Sequence, residues 1–546
     1  MQIIYKTALV ITLWFSFSAC VNTDINVDPN KSTNMTHDNI LAYAILHGVG
    51  DDYDVWRGNL IYAEEFVQHL SATSKSWSGN YYTYNEEYMS AFWERIFREC
   101  TNNLEMMAYE LKNENEEKNA LKLAVIEVLQ VWNFHRLSDF YGPIPYSEAG
   151  KGATEGIFEP RYDHEQDIYL GNETLNIKGL LERLEDAQKV LSNPPSQAEA
   201  FIDGDLFFSG DIDKWNLFCN SLMLRLALRV SDKAPEVARK YAQKAYDNGV
   251  LQSNADNIFL NHFSDNSRYM NPTSRVFFNY GGVGGHLFRY SDTFIDVLRN
   301  YSDQVDPRLG FLAGVYNSDE KYFSNSEDYK GLPNGLEVSE MTDLANENQF
   351  DSQFENGIGV YGFAQPHRKN LVHLNAPTVV LHYAEVQFLL AEAQLKGLVN
   401  GAGDANTLYR SGIKAGMELM EMYNAEQALK ADQVDDYLAS IPTLGSNKAM
   451  GLEGALDEIH TQKWVSLLLN GYESYAEWRR THYPSIVTKK QINHPDNRSN
   501  GKIPGRVLYP SREQGANSKG YNSGVQALEN GSNDFMSDLW WAKDHH

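Results

Sequence analysis

Asp139-Phe140-Tyr141-Gly142-Pro143-Ile144-Pro145-Tyr146-Ser147-Glu148-Ala149 is where a long helical pattern is forced to stop. Upstream, apolar residues run from Leu121 through Leu137 and predict a strongly apolar helix over residues 117–139. Tyr141-Gly142-Pro143-Ile144-Pro145 must end it, because proline has no amide hydrogen to donate and restricts the residue before it. The chain therefore reads as helix, abrupt turn, and a new start.

The same pattern recurs outward from that turn. Apolar positions at three- and four-residue spacing predict helices over 38–48, 54–70 and 88–111, the last with Met89, Phe92, Ile96 and Phe97 on one side. Residues 164–192 read as helical up to the breaker Asn193-Pro194-Pro195-Ser196. Residues 212–231 carry Trp215, Phe218, Leu222 and Leu226 as one stripe, with Arg225 and Arg229 one turn apart; residues 234–248 follow as a partner ending at Gly249. Further helices are expected over 378–396, just after Pro377, and over 403–423, 453–470 and 473–481, with Gly471 and Pro484 as stops. Short connections make neighbours look like antiparallel pairs, so the expected fold class is mainly α, in a helical-repeat arrangement. No 34-residue sequence repeat is visible, so the pairing rests on spacing alone. Between the helices lie long irregular stretches, 71–87, 262–290, 318–376 and 485–546, rich in Gly, Asn, Ser and Tyr. Loops of this length are usually functional or disordered, and their aromatic content argues against disorder.

The first twenty residues read as an export signal. Lys6 supplies positive charge, and an apolar run from Ala8 leads to Ser18-Ala19-Cys20. That run is about a dozen residues, short of the ~20 needed to span a bilayer, and normal for a signal-peptide core. Small residues before a cysteine suit a lipoprotein signal peptidase, which would leave Cys20 as an acylated, palmitate-type N-terminus; Phe17 stands where leucine is commonest. Asn22-Thr23-Asp24-Ile25-Asn26 reads as a polar tether. The expected division is 1–19 signal, 20–36 lipidated tether and 37–546 one helical body with inserted loops. No later segment is apolar for long enough to cross a membrane, so anchoring by lipid is expected.

Composition fits a folded protein, at 42% hydrophobic and 22% charged residues, with no low-complexity tract. The formal net charge is −26, and loss of Lys6 with the signal makes it one unit more negative. No basic cluster exists, which argues against a nucleic-acid partner. Cys100 and Cys219 are too few for a disulfide framework; both fall in helical patterns and are expected as buried thiols, with a single bridge as the alternative. No CxxC or HExxH pattern occurs, and no metal or cofactor is expected.

Several segments resemble the SusD/RagB family of Bacteroidetes outer-membrane nutrient-binding lipoproteins, in its SusD-like branch. They are Asn26-Val27-Asp28-Pro29-Asn30; the turn from Asp139 to Ala149; Pro160-Arg161-Tyr162-Asp163; Lys214-Trp215 with Asn220-Ser221-Leu222 and Arg225-Leu226-Ala227; and Asp306-Pro307-Arg308. Then come Tyr383 to Ala393, Gln462-Lys463-Trp464, Asn470-Gly471-Tyr472-Glu473, Glu477-Trp478-Arg479-Arg480-Thr481, and Ile503-Pro504-Gly505-Arg506 before Tyr509-Pro510. The blocks keep family order over nearly the whole mature chain. The resemblance implies about four tetratricopeptide-like helix pairs with long loops packed on one side. It also implies a surface lipoprotein that sits as a lid on a TonB-dependent outer-membrane transporter, SusC-like, and captures a glycan or other nutrient for it.

The motif residues themselves read as scaffold. Glu385 and Glu392 lie two turns apart, ~10 Å along a helix, wide of the ~5–5.5 Å between carboxyls of a retaining glycosidase. They are expected to pair with arginines such as Arg225 or Arg479. Arg479-Arg480 can serve the last carbonyls of their helix, His135 reads as a satisfied core histidine one turn before Asp139, and Asp303 with Asp306 reads as a turn rather than a cation site.

Sugar recognition needs flat aromatic faces beside Asn, Asp and Arg. The densest candidate is Trp77-Ser78-Gly79-Asn80-Tyr81-Tyr82-Thr83-Tyr84, whose Gly, Ser and Asn content makes its aromatics poor core residues. A second is 262–290, with Arg268, Tyr269, Phe277 and Tyr280; a third is Tyr361-Gly362-Phe363. For each aromatic the alternative is packing of loop against body. The expected function is non-enzymatic capture of an oligosaccharide. Peptide capture on the same architecture, a surface glycosidase and a protein-only scaffold stand as alternatives.

Overall fold

The protein is described by a computed structural model covering residues 35–74, 78–279, 288–316, 322–323, 329–350, 362–446, 451–488, 492 and 494–544. Helices dominate, and the described strands are only two to four residues long. Cys20, Trp77, Tyr280 and Tyr361 lie outside the described residues.

Four successive helix pairs carry the body: α1 (Asn102–Asn115) with α2 (Ala120–Tyr141), α3 (Ile212–Arg229) with α4 (Pro235–Asn248), α5 (Tyr383–Leu395) with α6 (Ala405–Glu418), and α7 (Gly451–Ser466) with α8 (Gly471–Thr481). Local chemistry sets their ends. Asp211 accepts from the Lys214 amide at the start of α3, and Asp404 from the Thr407 amide at the start of α6. Pro235 sits in the first turn of α4, where its missing amide hydrogen costs nothing. At the end of α2 Gly142 takes φ 94°, and Ile144–Pro145 then pairs antiparallel with Tyr162–Asp163.

The pairs stack laterally: helix Leu180–Ser192 packs on both α2 and α3, α5 on α3 and α7, and α8 on α2. One apolar cluster runs through all of them, from Leu41 to Ala542.

The structure redraws several expected helices. The segment 54–70 is a wide, π-type helix over Val55–Glu64, and a second π-type stretch, Ile96–Thr101, interrupts the 88–111 segment. The 164–192 segment breaks at Gly171, φ 81°, into Glu165–Leu170 and Leu180–Ser192. The 378–396 segment starts as a strand, Thr378–Leu381, paired antiparallel with Ile258–Leu260; His382 then caps α5 by accepting from the Glu385 amide. The residues 485–546 contain a further helix, Ser518–Ala527.

The helices are cross-linked by buried ions. Arg225 grips Glu385 with two bonds of 2.7 Å, and Arg480 grips Glu392 with two more of 2.7 Å. Arg229 reaches three acids, Asp139 at 3.3 Å, Glu473 at 2.7 Å, and Glu477. Lys463 adds a bond to Glu477 at 2.7 Å. Burial raises the Glu385 carboxyl, but Arg225 and Lys463 more than offset it and hold the group below its ordinary value. The partner of Glu392 is thus Arg480. Arg479 instead donates to the carbonyls of Asp139 at 2.6 Å, Gly505 at 3.0 Å and Tyr475 at 3.2 Å, the last one turn back in its own helix. His135 is a core residue on Asp139 at 3.2 Å, pushed down to about 4 by burial. Asp306 is bound by Arg308 at 2.6 Å.

Candidate ligand-binding face

The first loop candidate is held down from beneath. Leu70–Ala72 pairs antiparallel with Phe288–Tyr290, and the chain returns through a tight turn over Ser78–Tyr81. Gly79 makes that return feasible, since a Cβ there would lie 1.6 Å from the Ile61 carbonyl oxygen and 2.8 Å from Glu65 Oε2.

The residues of this turn face inward, which corrects the expectation that they are poor core residues. Asn80 is buried; its Oδ1 accepts from Ser71 Oγ at 3.2 Å and Asn334 Nδ2 at 2.9 Å, and its Nδ2 donates to the Ala72 carbonyl at 3.4 Å. Tyr81 is buried, donates to the Leu336 carbonyl at 2.8 Å and packs its ring 4.4 Å from that of His494. Tyr82 is fully buried, edge-on to Phe66 at 5.6 Å. The physical reason lies in the Gly, Ser and Asn that suggested exposure. Glycine permits close approach, and the small polar side chains satisfy the loop's backbone groups, so the aromatics can be drawn into the core. Tyr84 is half-buried, donates to Glu86, and has the Arg498 guanidinium 5.5 Å from its ring centre.

The other candidates divide in the same way. Phe363 is buried in a small cluster with Leu332, Met341 and Ala345, and Phe277 is buried against Phe288. Arg268 and Tyr269 are exposed, Tyr269 by 48%, on a turn where the Phe263 amide donates to the Tyr269 carbonyl at 2.8 Å. Phe263 beside them is 60% exposed and was missed by sequence reasoning, although it lies in the same candidate loop. The turn is tied to the body by His262, whose Nε2 lies 2.8 Å from Thr378 Oγ1.

An open groove of about 720 Å³ is lined by Trp93, Phe97, Asn103, Phe158 and Arg512, and Tyr84 connects to it through Glu86 and Ser511. Glu86 links the two, accepting from both Tyr84 and the Ser511 amide, the latter at 2.7 Å, while Arg512 pairs with Glu94 at 2.7 Å. Phe158 is 79% exposed at the groove's edge. Aromatic faces beside Asn and Arg side chains are the residue types that stack on sugar rings and bond hydroxyls.

Two buried trios could be mistaken for metal centres, His135 with Asp139 and Glu473, and Glu392 with His460 and Glu477. In both, the carboxylates are already bonded to Arg229 or Arg480, so the protein supplies its own cation.

The family model of SusD-like proteins, described as starch-binding and associating with the outer membrane, matches residues 29–510. The chain belongs to the SusD-like family. Its structure resembles that of a chitin-binding protein at 29% identity and TM-score 0.76, covering 93% of this chain and 100% of that one. A SusD homologue from Bacteroides uniformis matches at 23% identity and TM-score 0.73, over 92% of this chain and 99% of the other. A chitin-binding SusD homologue from Flavobacterium johnsoniae matches at 21% identity and TM-score 0.72, over 93% and 98%. No curated protein sequence matches. In this SusD-like chain the charged motif residues Asp139, Arg225, Arg308, Glu385, Glu392, Glu473, Glu477, Arg479, Arg480 and Arg506 are buried scaffold, and the exposed loop residues lie between the motifs. No helix among the described residues is long and apolar enough to cross a membrane.

Proposed function

We propose that this chain captures an oligosaccharide outside the outer membrane and passes it to a TonB-dependent, SusC-like transporter, while a lipid on Cys20 holds it to the membrane. The observation that carries the proposal is the match over residues 29–510 to a family described by starch binding and outer-membrane association. Two of the similar structures are named for chitin binding, which makes N-acetylglucosamine oligomers the first ligands to try and starch oligomers the second. Exposed Arg268 and Tyr269 and half-buried Tyr84 are proposed as contacts, with Trp77, Tyr280 and Tyr361 as further candidates. Asn80, Tyr81, Tyr82 and Phe363 would act from inside, by setting the loops in place before ligand arrives. The chain would bind without turnover: Glu385 and Glu392, which sequence spacing offers as a carboxylate pair, are spent on Arg225 and Arg480.

Isothermal titration against chito-oligosaccharides, malto-oligosaccharides and a peptide panel tests this. Saturable glycan binding without cleavage, weakened by Trp77→Ala and by Tyr269→Ala, is expected. Peptide binding with no glycan binding would overturn the glycan assignment, and shortened products would overturn non-enzymatic capture. Cys20→Ser should move the protein from the membrane pellet to the supernatant with ligand affinity unchanged. Copurification of the Cys20-bearing protein with an outer-membrane barrel tests the partner.

A further inference from the structure

Arg136 is a cation without a counter-ion among the described residues. It projects from α2 and is half-buried. Its Nε donates to the Trp132 carbonyl at 3.1 Å, and its Nη2 donates to the Gly48 carbonyl at 2.8 Å and to Asn133 Oδ1 at 2.7 Å. Every one of these acceptors is neutral. Nη1 has no acceptor among the described residues, and the guanidinium lies over Trp132, 3.8 Å from its ring centre. Burial without an ion pair pulls the group down to about 10.

Arg136 lines a cavity of about 60 Å³ that adjoins a second of about 40 Å³. The two share Thr273, Thr378, Val379, Leu469 and Asn470 as lining, so they are adjacent lobes of one trough-like region. Since a water needs roughly 10–15 Å³ of such space, the larger lobe alone has room for a small planar group with water beside it. Leu469 stands at φ 70°, a rare conformation for a branched apolar residue, in the turn that brings Leu469 and Asn470 to the trough. Asn470 is the residue before α8 yet makes no capping bond with its side chain, which leaves its amide open to another partner. The Tyr472 hydroxyl is buried with no hydrogen-bond partner among the described residues, although Tyr472 lines the same lobe.

The other charges in the lining are already used. Arg225 is bound to Glu385. Glu473 is bound to Arg229 at 2.7 Å. Asp54, which acts on Arg136 from the neighbouring helix, bonds to Arg95 at 3.2 Å. His382, in the second lobe, donates from Nε2 to the Ser466 carbonyl at 3.1 Å and is pushed down to about 4 by burial, so it is neutral near pH 7. The surplus in the lining is one positive charge, with Asn470 and Tyr472 among the residues that share its lobe.

We propose that this trough is a carboxylate-binding site, with Arg136 as the charge partner and Asn470 as a second donor. The carboxylate could be borne by a captured acidic sugar or by a small free acid, and the guanidinium fork recognises both alike.

Isothermal titration of the full chain with sodium acetate and with glucuronate, at ionic strength matched by sodium chloride, decides it. Saturable heat with glucuronate alone identifies a sugar-borne carboxylate; heat with acetate as well identifies a free acid. Arg136→Gln should weaken binding at least about tenfold, as expected for a lost bond to a charged group. Should Arg136→Gln fail to fold, Asn470→Ala decides, with a severalfold loss expected. Quenching or enhancement of Trp132 emission on binding, absent in Trp132→Phe, places the ligand against Arg136. An equal affinity in wild type and both variants overturns the proposal, as does no saturable response to either acid, or an equal response to added chloride. Binding of neutral chito-oligosaccharides should be the same in Arg136→Gln, so failure here is distinct from failure of glycan capture.

Discussion

Arg225→Met should be among the most damaging single changes in this protein. Arg225 and Glu385 are each buried to within 1% and share two charge-assisted bonds of 2.7 Å across α3 and α5. Removing the arginine leaves Glu385 ionised or neutralised in a buried site without its partner, and strips Glu473 of a second cation 3.7 Å away. Breaking a buried pair in this way costs about 3–5 kcal/mol. Replacing both partners, in Arg225→Met with Glu385→Met, removes the stranded charge along with its partner, so the double variant should regain most of that loss. Urea unfolding of wild type, both single variants and the double variant gives the coupling directly. Because both groups are buried to within 1%, the coupling should persist in high salt, unlike a surface pair that is screened within about 10 Å at 0.1 M. A single-variant cost below about 1 kcal/mol, or losses that simply add in the double variant, would refute the reasoning.

Other expectations follow from the same contacts. Both carboxyl oxygens of Glu65 are buried, and burial, offset only in part by the Asn80 backbone amide, pushes the group well above its ordinary value. The folded state therefore keeps a proton that the unfolded state loses above the ordinary carboxylate pKa, and stability from this group falls with rising pH by up to ~1.4 kcal/mol per unit. Glu65→Gln should be more stable than wild type near about pH 8 and converge with it near about pH 4; a difference independent of pH in thermal unfolding would contradict this. Gly79→Ala forces a Cβ onto the Ile61 carbonyl, and should cost about 1–3 kcal/mol in unfolding and weaken ligand affinity through the displaced loop. Cys100 and Cys219 are free and buried, the Cys100 thiol pushed up to about 12, so neither should react with a thiol reagent until the protein is unfolded.

The helices were legible where a stop is chemical. Gly142-Pro143 ends α2 as the sequence predicts, and the stripe from Trp215 to Leu226 places α3, whose start Asp211 caps in the structure. Pairing of Glu385 with Arg225 was also legible, since conspicuous charges in apolar helices must meet a partner. Which arginine serves Glu392 was not, because adjacent Arg479 and Arg480 point to different neighbours by helix rotation alone. The candidate face was read less well. Tyr81 and Tyr82 were placed on the surface by the company they keep, whereas burial depends on where Gly79, Ser71 and Asn334 let the backbone go. Pairing of Ile258–Leu260 with Thr378–Leu381 joins segments more than a hundred residues apart and leaves no local signal. Arg136 sits in an apolar run like any solvated helix cation, and only the folded neighbours reveal that it lacks an acid.

Arg229 gives this protein a property that stacked repeats ordinarily lack. In a solenoid each unit leans only on its neighbours, so units can be deleted or added. Here one guanidinium from α3 holds Asp139 of α2 and Glu473 and Glu477 of α8, partners up to 248 positions distant, and has Trp541 5.2 Å from it. Helices from three different pairs, α2, α3 and α8, are thereby tied directly to one another. No pair can be excised without opening a charged seam in the middle, so the architecture is free to vary in the loops at its rim but indivisible at its hub.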